Sequence, residues 1–186
     1  MLSRFCILLV AFWLSAGSSA PVNAAPSQCQ GASRVYCKSA TSADFSQLER
    51  LQKRLISRDV PRIAQNHVRW VRQLAVCNNH ADRDACIVEK VKRRYSFLKV
   101  QHKLQTVSHI HQFNCAVSSI TVRWYDTPAP MVWVQTATSS QLMFNVAQGS
   151  GLTYENKRSR LWVHGQKAMI WVANQMPHQE CARVTS

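Results

Sequence analysis

Near residue 107 the spacing of apolar residues in this chain changes from the helical period of about 3.6 to the strand period of about 2. That switch restricts the fold to one with consecutive helices followed by consecutive strands. Before it, Phe45, Leu48, Leu51 and Leu55 mark an amphipathic helix from Thr41 to about Ile56, with Ser42 or Asp44 placed to cap it. Pro61 interrupts, and a second stripe runs through Ile63, Trp70, Leu74 and Cys77. The stretch CNNHADRDAC reads as a loop, and a third helix follows with Ile87, Val91, Arg94 or Tyr95, and Leu98 in register. Helices joined this tightly pack as antiparallel neighbours. After the switch, Ile120, Val122 and Trp124 alternate with Thr121, Arg123 and Tyr125; Val132 and Val134 flank Trp133; Leu142, Phe144 and Val146 flank Met143 and Asn145. Leu161 and Val163, then Met169 and Trp171 or Ile170 and Val172, continue the pattern, with DTPAP and ATSSQ as turn signals. The expected class is α+β: an N-terminal disulfide-linked helical bundle, residues 25–106, then a small antiparallel β-barrel, residues 107–186. The join near Gln101 to Thr106 carries no Pro or Gly, so the third helix is expected to run almost into the first strand.

Residues 1–24 read as a secretory signal peptide, with Arg4 before the apolar run FCILLVAFWLSA and Val22-Asn23-Ala24 as the cleavage site. No later stretch is long and apolar enough to span a bilayer. Neither Cys6 nor Cys29 has the small-residue context of a lipidated cysteine, so the mature chain is expected to be soluble, unlipidated, and periplasmic or secreted. Six cysteines remain after the leader: Cys29, Cys37, Cys77, Cys86, Cys115 and Cys181. An even number in an exported chain implies disulfides. If pairing stays within each part, Cys115 joins Cys181; the other four allow three connectivities, and nothing in their spacing chooses among them. Charge is uneven as well, with 16 Lys/Arg against 6 Asp/Glu in residues 25–106 and 6 against 3 in residues 107–186. Such a basic first half either forms a solvated helical surface or attracts a polyanion.

Catalytic chemistry finds little support. Glycoside hydrolysis needs two carboxyl groups across a cleft, yet the second half holds only Asp126, Glu155 and Glu180. His109 and His111 share one face of a strand, but two ligands do not make a metal site. No enzyme activity, metal or cofactor is expected. Trp124, Trp133, Trp162 and Trp171 are read as core rather than as platforms for stacking bases. Glycine, by contrast, is concentrated: three of the five in the chain are Gly149, Gly151 and Gly165, within QGSGLTYENKRSRLWVHGQKA. Glycine is used where φ must be positive or where another surface approaches the backbone. Two such turns, separated by one strand length, make a protrusion able to enter another protein's cleft.

The segment from Cys115 to Cys181 resembles the bacterial-envelope inhibitors of c-type lysozyme, the MliC/PliC type. The resemblance rests on the bracketing cysteines, the strand ITVRWYD, a Ser-Gly-x-x-Tyr motif at Ser150, Gly151 and Tyr154, and an aromatic-x-x-Gly-x-x-Ala motif at Trp162, Gly165 and Ala168. It implies a small antiparallel barrel closed by a Cys115–Cys181 disulfide. It also implies that Ser150 and the residue before Gly165 enter the lysozyme cleft and hydrogen-bond its catalytic carboxylates. That residue is His164, where the family usually has Lys, and Thr153 stands where a basic residue is common. An imidazole donates to a carboxylate in either protonation state, but only the protonated ring matches a lysine's charge. The implied lysozyme-binding set is Ser150, His164, Gly149, Gly151, Gly165, Thr153 and Tyr154. The first half resembles, less closely, the LprI-like domain that accompanies lysozyme inhibition in some bacteria. Its matching features are Cys29, Cys37, the helix end from Trp70 to Cys77, Ala85-Cys86-Ile87, Arg94 and Leu98; His67 and Leu74 depart from it. The alternative partner is nucleic acid, acidic glycan or another envelope protein, held through the basic helices. Salt discriminates: polyanion binding falls steeply with it, whereas association with a basic lysozyme tolerates it.

Overall fold

Helices form where the apolar stripes fall, at α1 (Ser39–Ser57), α2 (Ile63–Gln73) and α3 (Arg83–Gln101), with a 3₁₀ turn over Leu74–Asn79 continuing α2. The computed structural model describes residues 39–58, 60, 62–147, 149–172 and 175–185. The expected leader, Cys29 and Cys37 lie outside these residues. Helix α1 packs on α2 and α3, and α3 also meets the 3₁₀ turn. This buries Leu48, Leu51, Leu55, Ile63, Leu74, Cys77, Ile87, Val91 and Leu98, each side chain worth about 1.5–3 kcal/mol. Of the second stripe, Trp70 stays half-exposed. The disulfide Cys77–Cys86 ties the 3₁₀ turn to the first turn of α3.

Two helix ends differ from expectation. No breaker separates Ser39 from Asp44, so α1 starts upstream and both expected caps fall inside it. Helix α3 is capped by Asp82, whose carboxylate accepts from the Ala85 N–H at 2.9 Å. Its other end is a Schellman motif without glycine: Leu104 N–H donates to Lys99 C=O at 2.7 Å, Lys103 N–H donates to Val100 C=O at 3.1 Å, and Lys103 has φ 54. The chain turns there instead of running straight into the first strand.

The second half is a closed up-and-down barrel of eight antiparallel strands. They are β1 (His109–Cys115), β2 (Ser119–Tyr125), β3 (Met131–Gln135), β4 (Ser140–Val146), β5 (Leu152–Glu155), β6 (Ser159–His164), β7 (Lys167–Val172) and β8 (Gln175–Arg183). Strand β8 closes on β1 with Cys115 opposite Cys181, and these two cysteines are disulfide-bonded. Eight strands leave an interior that side chains can fill. Here Phe113, Ile120, Val122, Val132, Val134, Met143, Tyr154, Leu161, Val163, Ala168, Ile170 and Cys181 fill it.

The pleat decides which half of each alternation is inside. On β7 it is Ile170 and Val172. On β4 it is Met143, while Leu142, Phe144 and Val146 are half-buried on the outer surface. Phe144 is covered there, lying opposite the buried Met131 and 5.3 Å beneath the Arg93 guanidinium of α3. Trp133, Trp162 and Trp171 likewise lie half-buried on the outside, and only Trp124 packs against the core. The expectation that all four tryptophans are core therefore fails for three. Period 2 identifies a strand without saying which face is inner.

Helix α3 is tied to the barrel through the β2–β3 connection. The buried Ser96 Oγ accepts from the Ala129 N–H at 3.1 Å, and Gln105 Nε2 donates to Asp126 C=O at 3.0 Å. In an up-and-down barrel, alternate connections share an end. The entry to β1 and the connections β2–β3, β4–β5 and β6–β7 are therefore all at one end.

Candidate functional site

Two glycine turns meet at that end, separated by the β5–β6 hairpin rather than by the single strand length expected. In the β6–β7 hairpin, His164 pairs with Lys167, and only Gly165 and Gln166 lie between them. Gly165 has φ 58 while Gln166 is not left-handed, the type II′ pattern that matches strand twist and selects glycine at the first central position. The β4–β5 loop is constrained differently. Gly151 has φ 94, and a Cβ there would lie 2.8 Å from Val163 O and 2.9 Å from Trp162 Nε1. Both its conformation and its contact with β6 exclude a side chain.

That contact holds the two turns together. Trp162 Nε1–H donates to the Ser150 carbonyl at 2.8 Å, and the Trp162 ring sits 5.6 Å from that of His164. Ser150 is thus tethered through its backbone, leaving its exposed hydroxyl without a hydrogen bond among the described residues. His164, Gly149, Gly151 and Gly165 are exposed as well. Thr153 and Tyr154 are each only 4% exposed and back the turn from behind. Tyr154 is part of the barrel core, where burial pushes its phenol pKa up and a hydrogen bond with the Trp124 side chain partly offsets this.

Sequence reasoning missed Lys167. It stands directly opposite His164, and residues opposed across a hairpin present side chains on the same face. A two-residue loop beginning with Gly165 was signal enough to pair them. The turn face therefore carries an imidazole and an exposed ammonium side by side, together with a free hydroxyl.

The remaining site residues fall elsewhere. Rings of His109 and His111 lie 6.4 Å apart, and among the described residues no group of three or more His, Cys, Asp or Glu is placed to hold a metal. His111 instead packs 4.7 Å from Trp124, and its pKa is held below the ordinary value by burial, then by Arg183 and His109. No helix among the described residues is long and apolar enough to cross a membrane. Comparison of the chain with protein-family models and with curated proteins finds no match.

Proposed function

We propose that this protein is an exported inhibitor of c-type lysozyme, acting in the bacterial periplasm or outside the cell to protect peptidoglycan. Residues 1–24 are its removed leader, residues 25–106 an LprI-like helical domain, and residues 107–186 the inhibitory MliC-like barrel. It catalyses nothing and needs no cofactor. One observation carries the reading: the Trp162–Ser150 tether joins two exposed glycine turns, so that a free serine hydroxyl and His164 project from the same end of a barrel.

Lysozyme cleaves glycan with two carboxyl groups flanking the scissile bond. A protrusion with fixed donors enters such a cleft and excludes the sugar. Ser150 Oγ–H donates to one carboxyl and the His164 ring to the other. Lys167, beside His164, supplies the positive charge that the family carries one strand earlier on its lysine. Because the β-turns are held before binding, little conformational entropy is lost on docking.

The test is lysis of a peptidoglycan suspension by a c-type lysozyme, with and without the full oxidised chain. Inhibition is expected, and Ser150→Ala should weaken it about 10- to 100-fold, the effect of one hydrogen bond to a charged group. His164→Lys should strengthen it. No inhibition of several c-type lysozymes refutes the function, whereas an unchanged inhibition constant in Ser150→Ala refutes only the assigned contact.

A further inference from the structure

A concave site lies in the helical segment, lined by residues outside the two turns. Ile63 and Asn66 of α2, Arg94, Phe97, Leu98 and Gln101 of α3, and His102 line a cleft of about 250 Å³. Its one charged lining residue is Arg94. The Nε of Arg94 is buried without a hydrogen-bond partner, and among the described residues no carboxylate pairs with its guanidinium. The visible partner is the Phe97 ring, 5.8 Å away. Arg94 as a whole is half-buried, but a guanidinium N–H shut off from water and left without an acceptor is costly. Burial lowers the Arg94 pKa, and the Arg94 charge adds to burial in lowering those of His67 and His102.

We infer that this cleft is a binding site for a small carboxylate with a short apolar substituent, whose charge pairs with Arg94. One cation matches one negative charge, and the planar fork of a guanidinium fits a carboxylate in two parallel hydrogen bonds. Asn66 and Gln101 bring amide donors for the same oxygens, and Ile63, Phe97 and Leu98 provide the apolar wall for the substituent. The volume suits a small organic acid or the last residue of a peptide, not a nucleotide or a sugar chain. The inference is independent of lysozyme inhibition, since none of these residues belongs to the turns.

The experiment is two-dimensional NMR of the full oxidised chain titrated with isovalerate, with N-acetyl-alanyl-alanine, with the carboxamide of each, and with inorganic phosphate. The expected result is saturable shifts at Gln101 and His102 with at least one carboxylate, and binding at least about tenfold weaker for its carboxamide. The tighter of the two acids tells whether a free acid or a chain terminus is the source. Arg94→Gln should lose about tenfold or more in affinity while keeping or raising the thermal midpoint, since it removes an uncompensated charge. A residue with a merely structural role would lower that midpoint instead. Equal binding of acid and carboxamide, tighter binding of phosphate, unchanged affinity in Arg94→Gln, or no saturable shift with any probe would each overturn the inference. The acid-against-carboxamide comparison uses the native chain, so it decides the matter even if the variant fails to fold.

Discussion

Replacing Gly151 by alanine tests the geometry of the turn pair more sharply than any other single change. The new methyl would sit 2.8 Å from the Val163 carbonyl oxygen and 2.9 Å from Trp162 Nε1, on a backbone with φ 94. An L-residue forced into that region costs about 1–3 kcal/mol. The clash with backbone oxygen cannot be relieved by a flexible side chain, so the loop must lift off β6. That breaks the Trp162–Ser150 hydrogen bond, worth about 1 kcal/mol. The total is roughly 2–4 kcal/mol, a fall of about 6–12 °C in thermal midpoint. Gly165→Ala is the control, because Gly165 has φ 58 but nothing within 4 Å of an added Cβ. It should lose only the conformational part, about 1–2 kcal/mol. Urea and thermal unfolding of both variants are the assay, with lysozyme inhibition measured alongside. If the two variants lose the same stability, the close approach of Gly151 to β6 does not matter energetically and the argument for a tethered turn pair fails.

Other outcomes follow from the same structure. Removing the barrel disulfide as Cys115→Ala/Cys181→Ala should cost about 4 kcal/mol, from a closure spanning 66 residues, and hydrogen exchange should rise first along the β1–β8 pairing. Lys103→Gly should stabilise the chain by about 1 kcal/mol in urea unfolding, because it relieves a left-handed lysine at the end of α3. Burial first, then Arg94, holds His67 and His102 below the ordinary imidazole value, so the unfolded chain takes up protons more readily than the folded one. Their contribution is therefore present above about pH 6.5 and lost as pH falls through the folded-state values. Urea midpoints should drop with acidification, and Arg94→Met should shrink the drop without abolishing it, since His111 is shifted by burial, Arg183 and His109 instead. A drop unchanged in Arg94→Met would refute the coupling.

Sequence alone determined that helices precede strands and where most of the elements fall. Leu48, Leu51 and Leu55 recur at helical spacing and are buried, while Val132 and Val134 alternate with Trp133 and face the core. Local periodicity dictates both, because it reports which residues share a face. Strands β5 and β8 gave no alternating signal, since LTYE is too short and QMPHQECAR carries too few apolar residues, and the pairing of β8 with β1 is what closes the barrel. Gly149, Gly151 and Gly165 announced two turns, but the pairing of His164 with Lys167 across the second was recognised only in the structure. Only the tertiary structure decided that an indole on β6 would reach back to Ser150, that Thr153 and Tyr154 would be buried behind the turn, and that Met143 rather than Leu142 or Phe144 would point inward. It also left Arg94 in a cleft without a counter-charge. Each of these depends on which distant segments become neighbours, and a period of 2 or 3.6 is unchanged when both faces of an element are exchanged.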